Sequence, residues 1–566
     1  MSVSLSEHLP LLASAPDGIK KLRGLILELA VRGKLVPQDP NDEPASELLK
    51  DIAAEKARLV ADGKIRKNKP LAALGEDEKP FELPVGWEWS QLGAIALINP
   101  RNAADDIVEA SFVPMAMINT RFEGSHDQES RKWGEIKQGF THFAEGDIGV
   151  AKITPCFENS KACVFSGLRS SIGAGTTELH IVRPISETLA PRYVLAYLKS
   201  PMFLQIGESK MTGTAGQKRL PKEFVEANPF PLPPLAEQHR IVAKVDELMA
   251  LCDRMEAEQA DAEAAHATLV QTLLGTLTPS RDAVELATNW QRLSQHFDTL
   301  FTTEASLDAL KQTILQLAVM GKLVPQDPND EPASELLKRI AAEKTRLVAK
   351  GKIRKDKPLA AVGEDESLFE LPEMWEWSRL QTCFDVRDGT HDTPKYQHTG
   401  FPLVTSKNIY GGRLCLENVK FISEADHTQI SERSKVDRGD ILFAMIGSIG
   451  NPVVVDIDPD FSIKNVALFK YYDLQLSSPE YLRMYLETIS DEMKTQSAGG
   501  VQSFVSLGFI RSFPFPLPPL AEQRRIVAKV DELMALCDSL EADLAESHAR
   551  QARLATTLIE SALQAA

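Results

Sequence analysis

The sequence predicts an α+β protein built as a tandem duplication, in which two mixed α/β domains are joined to long helices. Three observations indicate this fold class. The segment Pro231–Asp253 returns almost unchanged as Pro516–Asp538. The segment from Gly33 to Trp89 returns with few changes between Gly321 and Trp377. The two stretches enclosed by these repeats differ in nearly every position, so repeated frames hold two different inserts.

Composition limits the function only loosely. Of the 566 residues, 43% are hydrophobic and 25% are charged, which is typical of a soluble protein of several domains. No apolar segment has the length of a membrane span and no signal peptide opens the chain. We therefore expect a cytoplasmic protein that is not associated with a membrane. The six cysteines form no metal-ligand spacing, so we expect neither disulfides nor bound metal.

The net charge of −17 does not exclude nucleic-acid binding. The first insert, residues 91–230, contains equal numbers of basic and acidic residues. Most of the excess acid lies in the helical remainder of the chain. Because DNA binding depends on a local basic surface more than on the net charge, the net charge neither supports nor excludes DNA binding.

The N-terminal arm contains two helix patterns. Residues Asp17–Gly33 are amphipathic, and Gly33 stands where a left-handed cap ends a helix. The turn-rich connector Pro37–Pro44 leads to a charged helix, Glu47–Asp62, which stops at a glycine. The basic run Lys64–Pro70 is more typical of a solvated loop than of a strap that contacts phosphates.

The two inserts share a skeleton despite their dissimilarity. Gly146 and Asp147 precede an apolar run, as do Gly439 and Asp440, which predicts a turn into a buried strand. The segment Pro191–Leu198 matches Pro479–Leu486 and predicts a helix with proline in its first turn. Each insert then ends in a glycine-rich loop that carries a glutamine. We therefore expect both inserts to have one mixed α/β fold.

Each insert is followed by a long helix. The first contains no proline or glycine from Ala236 until Gly275. Apolar residues at heptad spacing predict that the two helices pair with each other as an antiparallel coiled coil. A helix of about 40 residues is a rod of roughly 60 Å, which suits a spacer. The residues predicted to pair are Ile241, Val245, Leu248, Cys252, Ile526, Val530, Leu533 and Cys537.

Residues 276–303 then join the two halves. We expect a further helix there, with one buried face. That face would contain Val284, Ala287, Trp290, Leu293 and Phe297.

No catalytic motif stands out. A phosphate-binding Walker loop and a dinucleotide glycine motif are absent. The tetrad Asn228–Pro231 resembles an adenine-methyltransferase motif, but its repeat, Phe513–Pro516, lacks the asparagine. Asp460 with Glu492 and Lys494 formally fits a nuclease pattern, although a solvated helix face is the better interpretation of Glu492. His391 beside Asp392 has no nucleophile nearby and is better explained as a loop contact.

The loops instead carry residues suited to DNA contact. Asn and Gln pair with adenine, Arg and Lys pair with guanine, and Ser and Thr bind phosphates. Taken singly, each of these residues is more often an ordinary surface residue. The candidates are Lys152, Asn159, Lys161, Thr212, Gln217, Lys218 and Arg219 in the first insert, and Thr390, His391, Lys395, Lys407, Asn408, Gln502 and Ser503 in the second.

This layout resembles the specificity subunits of type I restriction-modification systems. The resemblance covers nearly the whole chain, and its most specific sequence motifs are Gly33–Leu49, Pro231–Gln238, Asp388–Pro394 and Pro402–Ile409. It divides the chain into a helical arm (1–85), a target recognition domain (86–230), a long helix with linker (231–303), a second arm (304–372), a second target recognition domain (373–515) and a closing helix (516–566).

The resemblance implies a non-catalytic DNA-reading subunit. Each recognition domain would read one half of an asymmetric, bipartite target, with half-sites about 34 Å apart. The partners implied are double-stranded DNA, two modification (methyltransferase) subunits and two restriction subunits. No cofactor is expected in this chain, since S-adenosylmethionine, ATP and Mg²⁺ would belong to the partners.

Three alternatives stay open at this point. The chain could serve a fused restriction-methylation enzyme or a system that only methylates. It could act as an enzyme itself, although the motifs for that are missing. It could be a helical scaffold that does not bind DNA, which would leave the two divergent inserts without a purpose.

Overall fold

The chain divides into two compact units in a computed structural model. One unit takes residues up to Ala262 together with Glu546 onward, and the other takes Glu263–Ala545. The structure describes residues 12–13, 15–65, 70–185, 188–214, 216–281, 283–496 and 504–565. Among the residues that the structure describes, no helix is long and apolar enough to cross a membrane.

Short helices and one long helix form the first half of the chain. They are α1 (Gly18–Val31), α2 (Ala45–Ala61), α3 (Leu92–Ile95), α4 (Trp133–Ile136), α5 (Pro191–Leu198), α6 (Pro201–Lys210), α7 (Lys222–Ala227) and the long α8 (Leu235–Gly275). The strands are β1 (Glu88–Gln91), β2 (Ala96–Ile98), β3 (Glu109–Val113), β4 (Glu129–Lys132), β5 (Thr141–Ala144), β6 (Ile148–Ala151), β7 (Ala162–Val164), β8 (Ile172–Gly175), β9 (Leu179–Pro184) and β10 (Pro229–Leu232).

The second half repeats this order after a helical linker. Its helices are α9 (Ala283–Ser294) and α10 (Phe297–Leu300) in the linker, then α11 (Glu304–Val319), α12 (Ala333–Ala349), α13 (Leu380–Cys383), α14 (Glu424–Ser434), α15 (Pro479–Thr488), α16 (Ser490–Thr495), α17 (Leu507–Ser512) and the long α18 (Leu520–Ala565). Its strands are β11 (Glu376–Arg379), β12 (Phe384–Asp388), β13 (Phe401–Val404), β14 (Ile409–Tyr410), β15 (Arg413–Leu414), β16 (Lys420–Ile422), β17 (Ile441–Ala444), β18 (Gly450–Val454), β19 (Ser462–Ile463), β20 (Val466–Tyr471) and β21 (Pro514–Leu517).

The two inserts share the strand order of one sheet, as their shared skeleton predicts, while their second sheets have four and three strands. The first has a sheet of order β2-β9-β6-β7 and the second a sheet of order β12-β20-β17-β18. In each, a further sheet contains one parallel pair, β3 with β8 and β13 with β19. A short 3-10 turn follows β3 at Met115–Met117 and β13 at Ser406–Asn408. Two sequences that differ in nearly every position therefore fold alike.

A two-stranded antiparallel ribbon closes each insert where it meets its frame. In the first unit β1 pairs with β10, so that Glu88 lies opposite Leu232. In the second unit β11 pairs with β21 in the same register, with Glu376 opposite Leu517. The ribbons are built from nearly identical residues, so both inserts join their frames in the same way.

The Gly-Asp turns before the central strands have a structural role. Asp147 accepts a hydrogen bond from the Ala144 backbone N–H at 2.7 Å and pairs with Arg183 on β9 at 2.7 Å. In the second insert Asp440 pairs with Lys470 on β20 at 2.5 Å. Because both aspartates are buried, these ion pairs hold the turn to the neighbouring strand.

The repeated frames bind their connectors by the same ion pair. Arg240 on α8 pairs with Asp42 at 2.5 Å, and Arg525 on α18 pairs with Asp330 at 2.7 Å. Both aspartates are nearly buried, at 9% side-chain exposure. The repeated connector sequence is thus used to fix the start of each long helix.

The heptad residues of the long helices are buried, but in separate cores. Ile241, Val245, Leu248 and Cys252 belong to the core of the first unit, together with residues of α1 such as Leu22. Ile526, Val530, Leu533 and Cys537 belong to the core of the second unit, together with residues of α11. Each core also contains residues from the far end of the other long helix, Ala555 of α18 in the first and Val270 and Leu274 of α8 in the second. The two predicted sets therefore lie in different cores.

The linker also differs from its predicted form. It contains two helices, α9 and α10, rather than one. Of the predicted face, Leu293 is buried, whereas Val284 is 75% exposed and Ala287 is exposed as well. Leu286, which was not predicted to lie on that face, is buried. Trp290 and Phe297 do pack on that core, with ring centroids 5.7 Å apart.

Candidate nucleic-acid interface

The first α/β domain brings all seven of its candidate residues together. The turn after β6, residues 152–161, lies against residues 212–214 and 216–219, which form a hairpin in which Ile153 and Thr212 each pair with Arg219. The Thr154 N–H donates to the carbonyl of Lys218 at 3.1 Å, and the Leu220 N–H donates to the carbonyl of Lys152 at 2.7 Å. We call these two segments the first loop edge.

Within the first loop edge, two of the cations are used by the fold. Lys161 Nζ donates to the carbonyl of Met115 at 2.9 Å, which ties the turn to the segment after β3. Arg219 makes two hydrogen bonds to Glu178, at 3.0 and 2.9 Å. The Arg219 guanidinium lowers the pKa of Glu178 below its usual range, so this pair is charged at neutral pH.

The other members of the first loop edge are available to a ligand. Asn159, Thr212, Gln217 and Lys218 are exposed, and Lys152 is half-buried. In the part of the chain that the structure describes, neither Lys152 nor Lys218 has a side-chain hydrogen bond or ion pair. Two free ammonium groups beside exposed amide and hydroxyl groups suit a phosphate backbone and base edges.

A buried histidine contacts Leu220, the residue directly after the hairpin. His180 on β9 is 4% exposed, and its Nε2 lies 2.9 Å from the carbonyl of Leu220. Its Nδ1 lies 3.3 Å from the side-chain amide of Asn99. Both contacts fit a neutral ring that donates from Nε2 and accepts at Nδ1. Burial lowers the pKa of His180 below its usual value, which favours this neutral form.

The second α/β domain places its described candidates on the corresponding edge. The turn after β12 begins with Thr390, whose N–H donates to the carbonyl of Ile463 at 3.0 Å. His391 Nδ1 lies 3.1 Å from Oδ1 of Asn465, and its Nε2 lies 2.8 Å from Oδ2 of the buried Asp388. We call residues 390–395, 405–415 and 463–465 the second loop edge. His391 is thus partly fixed by the fold although its ring is exposed.

Asn408 lies in the second loop edge but is structural. It is 7% exposed, and its Oδ1 accepts from both the N–H and the hydroxyl of Thr405 at 3.0 Å. Its Nδ2 donates to the carbonyl of Cys415 at 3.2 Å. The amide of Asn408 is thus occupied by contacts within the fold.

Two exposed lysines complete the candidates of this domain. Lys395 and Lys407 have no side-chain hydrogen bond or ion pair to any described residue. Gln502 and Ser503 lie outside the described residues, as does most of the basic run Lys64–Pro70, from Arg66 to Lys69. The described part of the second loop edge therefore offers Thr390, His391, Lys395 and Lys407.

Sequence reasoning missed one element of the second loop edge. Strands β14 and β15 form a small hairpin directly after the 3-10 turn at Ser406–Asn408. Its outward-facing residues are Tyr410, which is 58% exposed, and the exposed Arg413. The signal was present, because two glycines between strand-forming residues are typical of a two-residue hairpin turn.

One of the weaker catalytic patterns, the tetrad Asn228–Pro231, has a structural explanation. The side-chain amide of Asn228 donates to the hydroxyl of Tyr197, which in turn donates to the carbonyl of Pro229. That tetrad therefore belongs to the ribbon that closes the insert. No group of three or more His, Cys, Asp or Glu residues is arranged to hold a metal ion within the described ranges.

Fold and site together define a class of protein. Two domains of one topology carry different loop edges and join nearly identical helical frames, as expected of a duplicated recognition protein rather than of an enzyme with one reaction centre. The family model described as "Type I restriction modification DNA specificity domain" matches residues 84–264 and 372–547. The chain belongs to the family of type I restriction-modification specificity subunits, and its class is that of a non-catalytic subunit.

Individual relatives agree over almost the full length. The chain is 51% identical over 558 residues to the type I restriction enzyme EcoAI specificity subunit of Escherichia coli, covering 96% of this chain and 94% of that one. It is 50% identical over 562 residues to the EcoEI specificity subunit of Escherichia coli, with the same coverage. It is also 24% identical to the EcoBI specificity subunit, over 62% of this chain and 61% of that one.

A solved structure shows the same fold. It is a structure of the complex assembly and conformational transition of the type I R-M system. The match has a TM-score of 0.52 at 20% identity and covers 86% of this chain and 99% of that chain.

Proposed function

We propose that this chain is the DNA-reading subunit of a type I restriction-modification complex. Each α/β domain reads one half of a bipartite target through its loop edge, and the long helices fix the distance between the halves. Because the two loop edges differ in sequence and in structure, the two half-sites differ and the target is asymmetric.

One observation carries this proposal above the others. Two domains that share the strand order of one sheet, held by ribbons of the same register, carry different residues on their loop edges. A frame that is repeated suits a constant partner, whereas an edge that varies suits a variable ligand. A scaffold without DNA binding gives no reason for that difference.

Chemistry of the loop edges favours duplex DNA as the ligand. Lys152 and Lys218 in the first domain, and Lys395 and Lys407 in the second, are ammonium groups with no partner among the described residues and can bind phosphates. Gln217 and Asn159 are exposed amides that can pair with adenine in the major groove. Catalysis and its cofactors, S-adenosylmethionine, ATP and Mg²⁺, belong to the partner subunits in this proposal.

The repeated long helices supply the surface for those partners. Ala243, Glu247 and Ala250 on α8 are exposed, and so are their repeats Ala528, Glu532 and Ala535 on α18. Exposed positions that are repeated identically favour one partner bound twice. We therefore assign one modification subunit to each surface, with two restriction subunits joining the complex for cleavage.

Grafting the second insert into both frames tests the proposal. Leu92–Asn228 is replaced by Leu380–Phe513, so that the junctions fall in the two ribbons of equal register. We expect the doubled chain, with its partner subunits, to methylate a target whose two halves are the same half-site in inverted orientation. An unchanged asymmetric target would contradict the assignment of one half-site to each domain.

Docking of the modification subunits has a separate test. Replacing Ala243 with arginine should remove one modification subunit from the complex, and replacing Ala243 and Ala528 together should remove both, as measured by native mass spectrometry. The control is Ala262→Arg, an exposed position of α8 beyond the repeated segment. Equal subunit numbers in all variants would contradict this surface.

A further inference from the structure

The β14–β15 hairpin of the second loop edge has a tight two-residue turn. Ile409 pairs with Leu414 and Tyr410 pairs with Arg413, so only Gly411 and Gly412 form the turn. Both glycines have positive φ angles, 59° and 69°, as a type I′ turn requires. A Cβ atom at either glycine would meet nothing within 4 Å, so the tip projects into open space.

Alternation along the hairpin separates an anchored side from an outward side. Ile409 is fully buried and Leu414 packs beside it on a cluster that includes Val453. The neighbouring pair, Tyr410 and Arg413, therefore points away from this core. Tyr410 is 58% exposed, and Arg413 is exposed without a side-chain hydrogen bond or ion pair to any residue that the structure describes.

The base of the hairpin is fixed by Asn408. Its side-chain Nδ2 donates to the carbonyl of Cys415 at 3.2 Å, and the Cys415 N–H donates to the carbonyl of Asn408 at 2.8 Å. These bonds join the residues on either side of the hairpin. The positions of Tyr410 and Arg413 are thus set before any ligand binds, which lowers the entropy lost on binding.

The first domain carries a different element at the same place in the topology. After the 3-10 turn at Met115–Met117, Ile118 pairs with His126 around a longer loop. Lys199, the buried residue directly after α5, donates from Nζ to the carbonyls of Thr120, at 3.3 Å, and Arg121. That contact draws the loop onto its own domain. The position after this turn is therefore one where the two domains differ in shape as well as in sequence.

We propose that the β14–β15 hairpin enters the major groove of the half-site bound by the second domain, and that Arg413 contacts a guanine there. The inference rests on the proposed function. A two-stranded ribbon fits the major groove, which is about 12 Å wide, and arginine binds the O6 and N7 atoms of guanine with two hydrogen bonds. Lys407, just before the hairpin, contacts the adjacent phosphate.

Selection of bound sequences from a randomised DNA pool tests this assignment, with the full chain in complex with its modification subunits. The variants are Arg413→Ala and Arg413→Lys, and the matched control is Arg438→Ala. Arg438 is an exposed arginine of the same domain, in the turn before β17, whereas the hairpin follows β13. Because Arg413 is exposed and its side chain has no hydrogen bond or ion pair to a described residue, its variants should fold as the wild type does.

We expect the wild type to select two half-sites, one of them with a guanine that depends on Arg413. Arg413→Ala should lose preference for that one guanine by about tenfold or more, without change in the other half-site. Arg413→Lys should lose the same preference while keeping the salt dependence of binding, because it keeps the charge but not the paired donors. Arg438→Ala should select the wild-type sequence.

The outcomes separate this inference from the proposed function. If the wild type selects two half-sites and Arg413→Ala selects both with unchanged preference, the role of Arg413 is overturned and the proposed function stands. If Arg438→Ala changes the same position as Arg413→Ala, the effect is one of charge alone and the base contact is overturned. If the wild type selects no sequence at all, the proposed function fails and this inference fails with it.

Discussion

The indole Nε1 of Trp87 donates a hydrogen bond to Oε2 of Glu237 at 2.9 Å, and Trp375 makes the same bond to Glu522 at 3.0 Å. Each bond joins the residue directly before the strand that enters an insert to the long helix that leaves it. Glu237 is 1% exposed, and burial raises its pKa above the usual range although the indole and Gln38 donate to it. The Trp-Glu-Trp and Ala-Glu-Gln motifs are repeated, therefore, because they meet each other in each unit.

Removing the Trp87 indole donor should destabilise the first unit. Trp87→Phe keeps the ring but leaves an oxygen of the buried Glu237 unpaired, so we expect a loss of about 1–3 kcal/mol in the free energy of unfolding. The control is Trp89→Phe, because Trp89 packs on Phe81 at 4.9 Å and makes no indole hydrogen bond to a described residue. Urea unfolding followed by circular dichroism measures both, and equal losses would refute the role of the bond.

Two glycines allow the stability cost of backbone strain to be compared with the cost of a steric clash. Gly33 and Gly63 have nearly equal φ angles, 67° and 68°. A Cβ atom at Gly33 would lie 2.4 Å from Cγ of Pro84, whereas at Gly63 it would meet nothing within 4 Å. Gly63→Ala should cost roughly 1–2 kcal/mol, the cost of a left-handed conformation, and Gly33→Ala should cost clearly more. Similar melting temperatures for the two variants would show that the clash with Pro84 is relieved at no cost.

Breaking the ion pair under the Gly-Asp turn should be costly. Arg183 makes two bonds of 2.7 Å to Asp147, whose side chain is 1% exposed. Arg183→Met leaves that carboxylate buried without its cation, so we expect a loss of about 3–5 kcal/mol. Arg131→Met breaks an exposed pair with Glu129 and should cost less than about 1 kcal/mol. If chemical denaturation gives the two variants the same stability, the turn does not depend on the buried pair.

The first unit should lose stability in weak acid. The pKa of His180 is lowered in the folded state, chiefly by burial, so the unfolded chain takes up a proton first as the pH falls below about 6.5. Protonation would also place a second N–H against the amide of Asn99. We expect the free energy of unfolding to fall with pH below this point, and less steeply in His180→Gln. Some slope should remain, because burial also lowers the pKa of His142.

Local signals in the sequence were sufficient for much of the fold. Proline and glycine bound the long helix, predicted from Ala236 to Gly275 and found at Leu235–Gly275. Gly33 has the positive φ that a left-handed cap needs. These features depend on neighbouring residues alone. The shared skeleton of the two inserts could be predicted because the chain repeats its Gly-Asp turn and its proline-initiated helix.

Tertiary contacts could not be predicted in the same way. Heptad spacing indicated that Ile241 and Val245 would be buried, but not that they would pack with α1 in their own unit. Among the candidate contacts, Lys161, Arg219 and Asn408 had suitable chemistry, yet the fold uses all three side chains. A sequence pattern gives a side chain's type and periodicity, whereas its partner depends on segments far away in the chain.

The central claim is that each domain reads its own half of one DNA target. A long-read methylation map of cells that express this chain with its partner subunits tests it most directly. We expect one asymmetric motif, made of two different half-sites separated by a fixed number of unread base pairs. A continuous motif, or one with identical halves, would contradict the claim.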